Sequence, residues 1–112
     1  MSDAVAYRRA DGSCPFEERF NGLSDVVAAA RIGTAVGKLE RGLRSDVRSV
    51  GEGVHEARID HGPGYRIYFG IDGRELIILL LCRDKRTQGD DISISKQLWI
   101  EYRLRKRSGR LG

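Results

Sequence analysis

Three rhythms of apolar and polar residues divide this chain into elements. Between residues 24 and 43, Ala28, Ile32, Ala35, Val36, Leu39 and Leu43 recur at helical spacing, with Arg31, Lys38 and Arg41 off the stripe. This predicts a long amphipathic helix to about residue 41, with Ser24 as N-cap, Asp25 in the first turn and Gly42 as terminator. Gly33 and Gly37 each weaken such a helix by about 1 kcal/mol relative to Ala, a cost compatible with close packing on a neighbour. Residues 54–60 and 65–71 follow the period of a strand. Ala57 and Ile59 oppose Glu56 and Arg58; Tyr65, Ile67, Phe69 and Ile71 oppose Arg66 and Tyr68. Residues 75–82 lack alternation, with Leu76, Ile78 and Leu80 on one side and Ile77, Leu79 and Leu81 on the other. That predicts a strand buried on both faces, inside the sheet.

The remaining segments are punctuated by turn residues. Residues 4–10 predict a first strand, and Asp11-Gly12-Ser13 a turn. Pro15 suits the first turn of a short helix through residue 20, broken by Asn21-Gly22. The two helices are expected to form a hairpin on one sheet face. Residues 43–49 read as a polar connection. Gly51-Glu52-Gly53, His61-Gly62-Pro63-Gly64 and Asp72-Gly73 read as turns, the last as a hairpin signal. Asp90 or Asp91 caps a final helix to about residue 107, with Ile94, Leu98, Tyr102 and Arg105 near one stripe and Ile92 and Trp99 close to it. The expected class is α+β: a small, mostly antiparallel sheet, an N-terminal helical hairpin on one face and a C-terminal helix. Residues 1–102 are expected to form one domain, with a basic tail at 103–112.

Composition adds little to that picture, and charge changes it locally. At 112 residues, 40 % hydrophobic and 32 % charged, the chain suits one soluble core. No apolar run approaches the roughly 20 residues that span a bilayer, and no signal peptide is visible at the N-terminus, so the expectation is a cytoplasmic protein without a membrane partner. Cys14 and Cys82 lack metal-ligand spacing and are expected to be reduced and structural, with no metal or other cofactor. The net charge of +4 comes from the end of the chain. Residues 103–112 carry Arg103, Arg105, Lys106, Arg107 and Arg110 without an acid, which leaves 15 basic and 16 acidic residues in 1–102. Bulk charge therefore gives no case for nucleic acid; local clustering has to supply it.

The runs Val50-Gly-Glu-Gly-Val-His-Glu-Ala-Arg-Ile, His61-Gly-Pro-Gly-Tyr-Arg-Ile-Tyr-Phe and Leu79-Leu-Leu-Cys-Arg-Asp-Lys-Arg-Thr-Gln-Gly-Asp-Asp-Ile carry a resemblance. Together they resemble the RelE/ParE toxin superfamily, and within it the HigB-like addiction-module killer proteins, over roughly residues 14–102. The combination of Gly-Pro-Gly-Tyr-Arg with a following Asp-Lys-x-Thr-Gln is what makes the likeness specific. Three features depart from it. Arg83 stands where the family usually has glycine, Arg19-Phe20-Asn21-Gly22 replaces a common Trp-Leu, and the basic extension is long. The resemblance implies a RelE-like fold and the toxin of a type II toxin–antitoxin module. That toxin would be a metal-independent endoribonuclease cutting mRNA, commonly on the ribosome, and silenced by a cognate antitoxin. The alternative it carries is a ParE-like inhibitor of DNA gyrase without nuclease activity.

Metal-independent RNA cleavage uses the ribose 2′-OH against its own 3′ phosphate. The protein then supplies proton transfer, worth about 10²–10⁴-fold, and electrostatic stabilisation of the phosphorane-like transition state. Resemblance assigns Arg66 to the scissile phosphate, and Arg86 to transition-state charge or the leaving group. Lys85 is assigned to phosphate contact or, with a lowered pKa, general base. His61 is the better of the two histidines as an acid–base group. Arg58, Tyr68, Arg83 and Gln88 are the expected RNA-binding residues, Tyr68 by stacking on a base. Each has a plain structural counterpart: a solvated charge, an ion pair with a neighbouring aspartate, a turn histidine or a loop cap. The tail is expected either to bind ribosomal RNA or promoter DNA through phosphates, or to be a solubilising end.

Overall fold

The computed structural model describes residues 3–74, 76–84 and 90–109. It is α+β. Three helices flank a five-stranded sheet of order β1-β5-β4-β3-β2, in which β1 (Asp3–Ala6) runs parallel to β5 (Leu76–Asp84) and the other neighbours are antiparallel. The remaining strands are β2 (Val47–Gly51), β3 (Val54–Ile59) and β4 (Tyr65–Asp72); the helices are α1 (Pro15–Asn21), α2 (Val26–Glu40) and α3 (Asp91–Arg107). Among the described residues no helix is long and apolar enough to cross a membrane.

The sheet separates two cores. On one face Phe16 of α1 and Ala28, Ile32 and Leu39 of α2 pack with Ala57, Ile59, Tyr65, Ile67, Phe69, Ile77, Leu79 and Cys82. On the other, Leu98, Trp99 and Tyr102 of α3 pack with Tyr7, Val54, Tyr68, Ile78, Leu80 and Leu81. The alternation read for β4 holds. That read for β5 fails at one point: Tyr68 pairs with Leu81 and Phe69 with Leu79, so Leu80 is an extra residue in the ladder. This β-bulge puts Leu80 and Leu81 into the same core and turns Cys82 to the opposite face. Beyond it, Arg83 falls on the α3 side, level with Arg66.

Several expectations are corrected. β1 is shorter than residues 4–10, and only the Tyr7 N–H, bonded to the Leu79 carbonyl, extends its pairing. The N-cap of α2 is Asp25, whose carboxylate accepts from the Val27 and Ala28 N–H groups, not Ser24. Gly42, at φ 83°, does follow the helix end. Leu43 lies past it and is 50 % exposed, so it leaves the stripe. Gly33 faces open space, and Gly37 meets only the Arg41 side chain, so neither seats a neighbouring element. Residues 47–51 form a strand where a connection was expected; a register shift between Ser49 and Gly51 hides its period. In α3 the buried face is Asp91, Ser95, Leu98, Trp99 and Tyr102, while Ile94 is exposed.

The basic end is in part structural. Helix α3 runs through residue 102 to Arg107, so the boundary drawn at 102 falls inside it. Arg105 donates to the Arg8 carbonyl and the Tyr7 hydroxyl, and Lys106 pairs with Asp72. Trp99 lies flat over the sheet, stacked on Tyr102, and a methyl group at Gly70 would run into its ring. Gly70→Ala is therefore expected to destabilise the protein by about 1–3 kcal/mol, as overpacking does. A lower urea midpoint with unchanged slope in a denaturation curve checks it.

Candidate nucleic-acid interface

Strand register brings three arginines into one row. Arg58 of β3 pairs with Arg66 of β4, and Arg66 with Arg83 of β5. All three stand on the α3 side of the sheet. The neighbouring row is Arg48, Glu56, Tyr68 and Leu81 on β2, β3, β4 and β5. Helix α3 lies over the far end of these strands and leaves a groove of about 640 Å³. Its sheet floor includes Arg48, Glu56, Arg66, Tyr68 and Arg83, and its helix wall Ile92, Ser93, Lys96, Gln97 and Ile100. That volume is within the usual range for ligand clefts.

Like charges at adjacent positions repel, so something must hold them there. For Arg66 and Arg83 two buried carboxylates do. Glu56 is 2 % exposed. Its Oε1 accepts from Arg48 Nε at 2.8 Å, and its Oε2 accepts from the Tyr68 hydroxyl at 3.1 Å and faces Arg66 Nε at 3.4 Å. Burial pushes the Glu56 carboxyl up. The hydrogen bonds from Arg48 and Tyr68 and the charges of Arg66 and Arg48 outweigh it, and the group ends below its ordinary value. Asp91, also 2 % exposed, pairs with Arg19 at 3.2 Å and with Arg83 at 3.6 Å. Each carboxylate is shared by two guanidiniums, so each cluster keeps one net positive charge.

The expected site residues are not all gathered here. Arg66 and Arg83 line the groove, and Arg58 stands exposed at the end of their row. Lys85, Arg86 and Gln88 lie outside the described residues. Tyr68 lines the groove by its hydroxyl, but its side chain is buried in the α3-side core at 1 % exposure. The expectation that it stacks on a base is corrected, since no ring face is open. Burial, reinforced by the Glu56 charge, pushes its phenol up to about 12, so it stays a donor to Glu56.

His61 is also corrected. Its Nε2 lies 3.1 Å from Asp25 Oδ2, at the start of α2, and its ring stacks on Tyr65 of the opposite core. It therefore belongs to the α2 side of the sheet, away from the arginine row. Cys82 offers no nucleophile: burial pushes its thiol up to about 12. Among the described residues no three His, Cys, Asp or Glu side chains gather as metal ligands.

Arg19, Arg48, Glu56, Asp91 and Lys96 were missed as site residues. Arg48 was hidden in the unread strand. Glu56 carried a legible signal, an acid between Val54 and Ala57 on a strand with a buried face. The chemistry available to the assembled groups is anion binding: fixed guanidiniums beside a groove, with hydrogen-bonding Ser93 and Gln97 and aliphatic Ile92 and Ile100 opposite.

No family model matches the chain. A protein of Haemophilus influenzae (strain ATCC 51907 / DSM 11121 / KW20 / Rd), described as an uncharacterized protein, is 39 % identical over 89 residues, covering 80 % of this chain and 90 % of the other.

Since the folded Glu56 carboxyl lies below its ordinary value of 4.5, its ion pairs add stability above that pH. The contribution is lost as pH falls through the depressed value. Glu56→Gln is expected to cost about 1–3 kcal/mol at pH 7 and to flatten part of the acid limb below pH 4.5. Urea melts of both proteins across pH 3–7 check it.

Proposed function

We propose that this chain, which belongs to one family with the Haemophilus influenzae protein, is the toxin of a type II toxin–antitoxin module. In this reading it is a RelE-like endoribonuclease that acts on mRNA, on the ribosome, and is neutralised by a cognate antitoxin. The helices α1 and α2 would be the family's N-terminal hairpin. The observation that carries the proposal is the cross-strand row Arg58, Arg66, Arg83, in which Arg66 and Arg83 line an open groove and are each held by a buried acid.

The proposed chemistry follows from that row. The 2′ oxygen attacks phosphorus, the bond to the 5′ oxygen breaks, and a 2′,3′-cyclic phosphate and a 5′-hydroxyl result. Arg66 and Arg83 would take the charge that grows on the non-bridging oxygens, a contribution often larger than proton transfer. Glu56 is a poor base, because two hydrogen-bond donors and the nearby Arg66 charge stabilise its ionised form. It acts instead by holding Arg48 and Arg66 in place. Lys85 and Arg86 remain the proposed groups for proton transfer and leaving-group support.

Arg66→Ala is expected to abolish growth inhibition on induction and to lower cleavage at least 10²-fold, while the protein still folds and still binds its antitoxin. Primer extension on a defined mRNA, with and without ribosomes, reads the cleavage. Fresh 5′ ends that vanish in Arg66→Ala support the proposal. Intact transcripts with stalled gyrase would overturn it in favour of a gyrase inhibitor.

A further inference from the structure

The groove has a second cationic pole that the row of arginines does not explain. Arg48 is held through its Nε by Glu56, yet 67 % of its side chain is exposed, so its terminal amino groups extend into the groove lining. Lys96 reaches the same end from α3. Its Nζ would lie 3.4 Å from a Cβ at Gly51, which puts the ammonium over the last residue of Arg48's own strand. The acid at this end is Glu52, an exposed turn residue; Asp90 is the acid at the start of α3.

We propose that Arg48 and Lys96 form a second phosphate subsite, which takes the phosphate adjacent to the one gripped by Arg66 and Arg83, so that the groove's ligand is a single polynucleotide strand. The inference rests on the nuclease reading only for what happens at the first phosphate.

The spacing comes from Glu56. Its Oε1 takes Arg48 and its Oε2 faces Arg66, so the two guanidiniums stand one carboxylate apart. That separation suits neighbouring phosphates of one strand. The walls suit the rest of a strand. Guanidinium and ammonium groups lie on the sheet side and at one end, where a backbone carries charge. Ile92 and Ile100, the latter 50 % exposed, lie on the helix side, where unpaired bases seek apolar surface. A partner helix fits less well. Helix-in-groove docking needs a largely apolar floor, and this floor is arginine, glutamate and the tyrosine hydroxyl.

The test uses the whole chain and a labelled single-stranded 2′-deoxy octanucleotide, which cannot be cleaved, followed by fluorescence anisotropy over a salt series. Lys96→Ala is expected to bind several-fold more weakly, with the salt slope reduced by about 0.7, the value of one single-strand phosphate contact. Arg48→Ala should do the same, but it also removes a Glu56 partner. Lys96→Ala, whose ammonium has no such role, therefore decides the matter, with circular dichroism as the fold control. A dinucleoside monophosphate, with one phosphate, should bind wild type and Lys96→Ala alike. Unchanged octanucleotide affinity and slope in folded Lys96→Ala would overturn the inference. So would tighter binding of an acidic peptide of equal charge with the same Lys96 dependence, which would make the groove a peptide site. Primer extension on a ribosome-bound mRNA, run in parallel, reports on the nuclease reading by itself. If wild type binds the octanucleotide but leaves that mRNA uncut, that reading fails and the subsite stands.

Discussion

A carboxylate removed from water, when shared between two guanidiniums, organises this molecule's polar face. Desolvating one carboxylate costs several kcal/mol, and a single well-placed partner roughly offsets it. Glu56 has Arg48, Arg66 and the Tyr68 hydroxyl; Asp91 has Arg19 and Arg83. The surplus partner matters most. It satisfies the buried acid and leaves one uncompensated positive charge at a fixed position. The chain thus obtains a local anion-binding field although residues 1–102 carry more acids than bases. Net charge does not reveal this, because Glu56 and Asp91 each cancel one arginine in the sum while holding it in place.

The apolar framework decides which charges meet. The bulge at Leu80 rotates the end of β5 by one position. Without it, alternation from Ile78 and Leu80 would leave Leu81 and Arg83 on the α2 side, with Ile67 and Phe69, and would put Cys82 on the α3 side. With it, Arg83 joins Arg66 on the α3 side and meets Asp91 at the first position of α3. Trp99 fixes the other component, the seating of α3 on the sheet, by lying against Gly70 and Gly53, where a side chain would collide with the indole. The groove is the space between these two devices, and its polar lining is set by the packing of largely apolar groups.

This division explains what the sequence discloses. The period-2 pattern of Tyr65, Ile67 and Phe69 against Arg66 and Tyr68 is local, and it reappears unchanged in β4. The doubly apolar stretch in β5 was legible as an interior strand, because burial on both faces leaves no polar position. The bulge within it was not: in Leu79-Leu80-Leu81 every residue is acceptable on either face, so composition carries no trace of the slip. β2 was lost for a related reason. A register shift at Ser49 and Gly51 erases alternation in a five-residue strand, and Arg48 was lost with it. The N-cap was misplaced by one residue because Ser24 and Asp25 are both good caps, and only the approach of His61 and the helix N–H groups selects Asp25.

The position of His61 bears most directly on chemistry. An imidazole two residues after Ile59 and four before Tyr65 is close in sequence to both Arg58 and Arg66, and imidazole is the natural acid–base group at neutral pH. Geometry separates them. Arg58 and Arg66 point to the α3 side, whereas the turn carries His61 under α2, where Asp25 and the Tyr65 ring hold it. A sheet is a partition, and a turn residue chooses a side by what it hydrogen-bonds. The consequence for the groove is that its described titratable side chains are arginine, lysine, carboxylate and a phenol pushed up to about 12. Such a set is poor at moving protons near neutrality and good at holding charge. Any rate enhancement such a set gave to phosphodiester cleavage would therefore come chiefly from stabilising the anionic transition state.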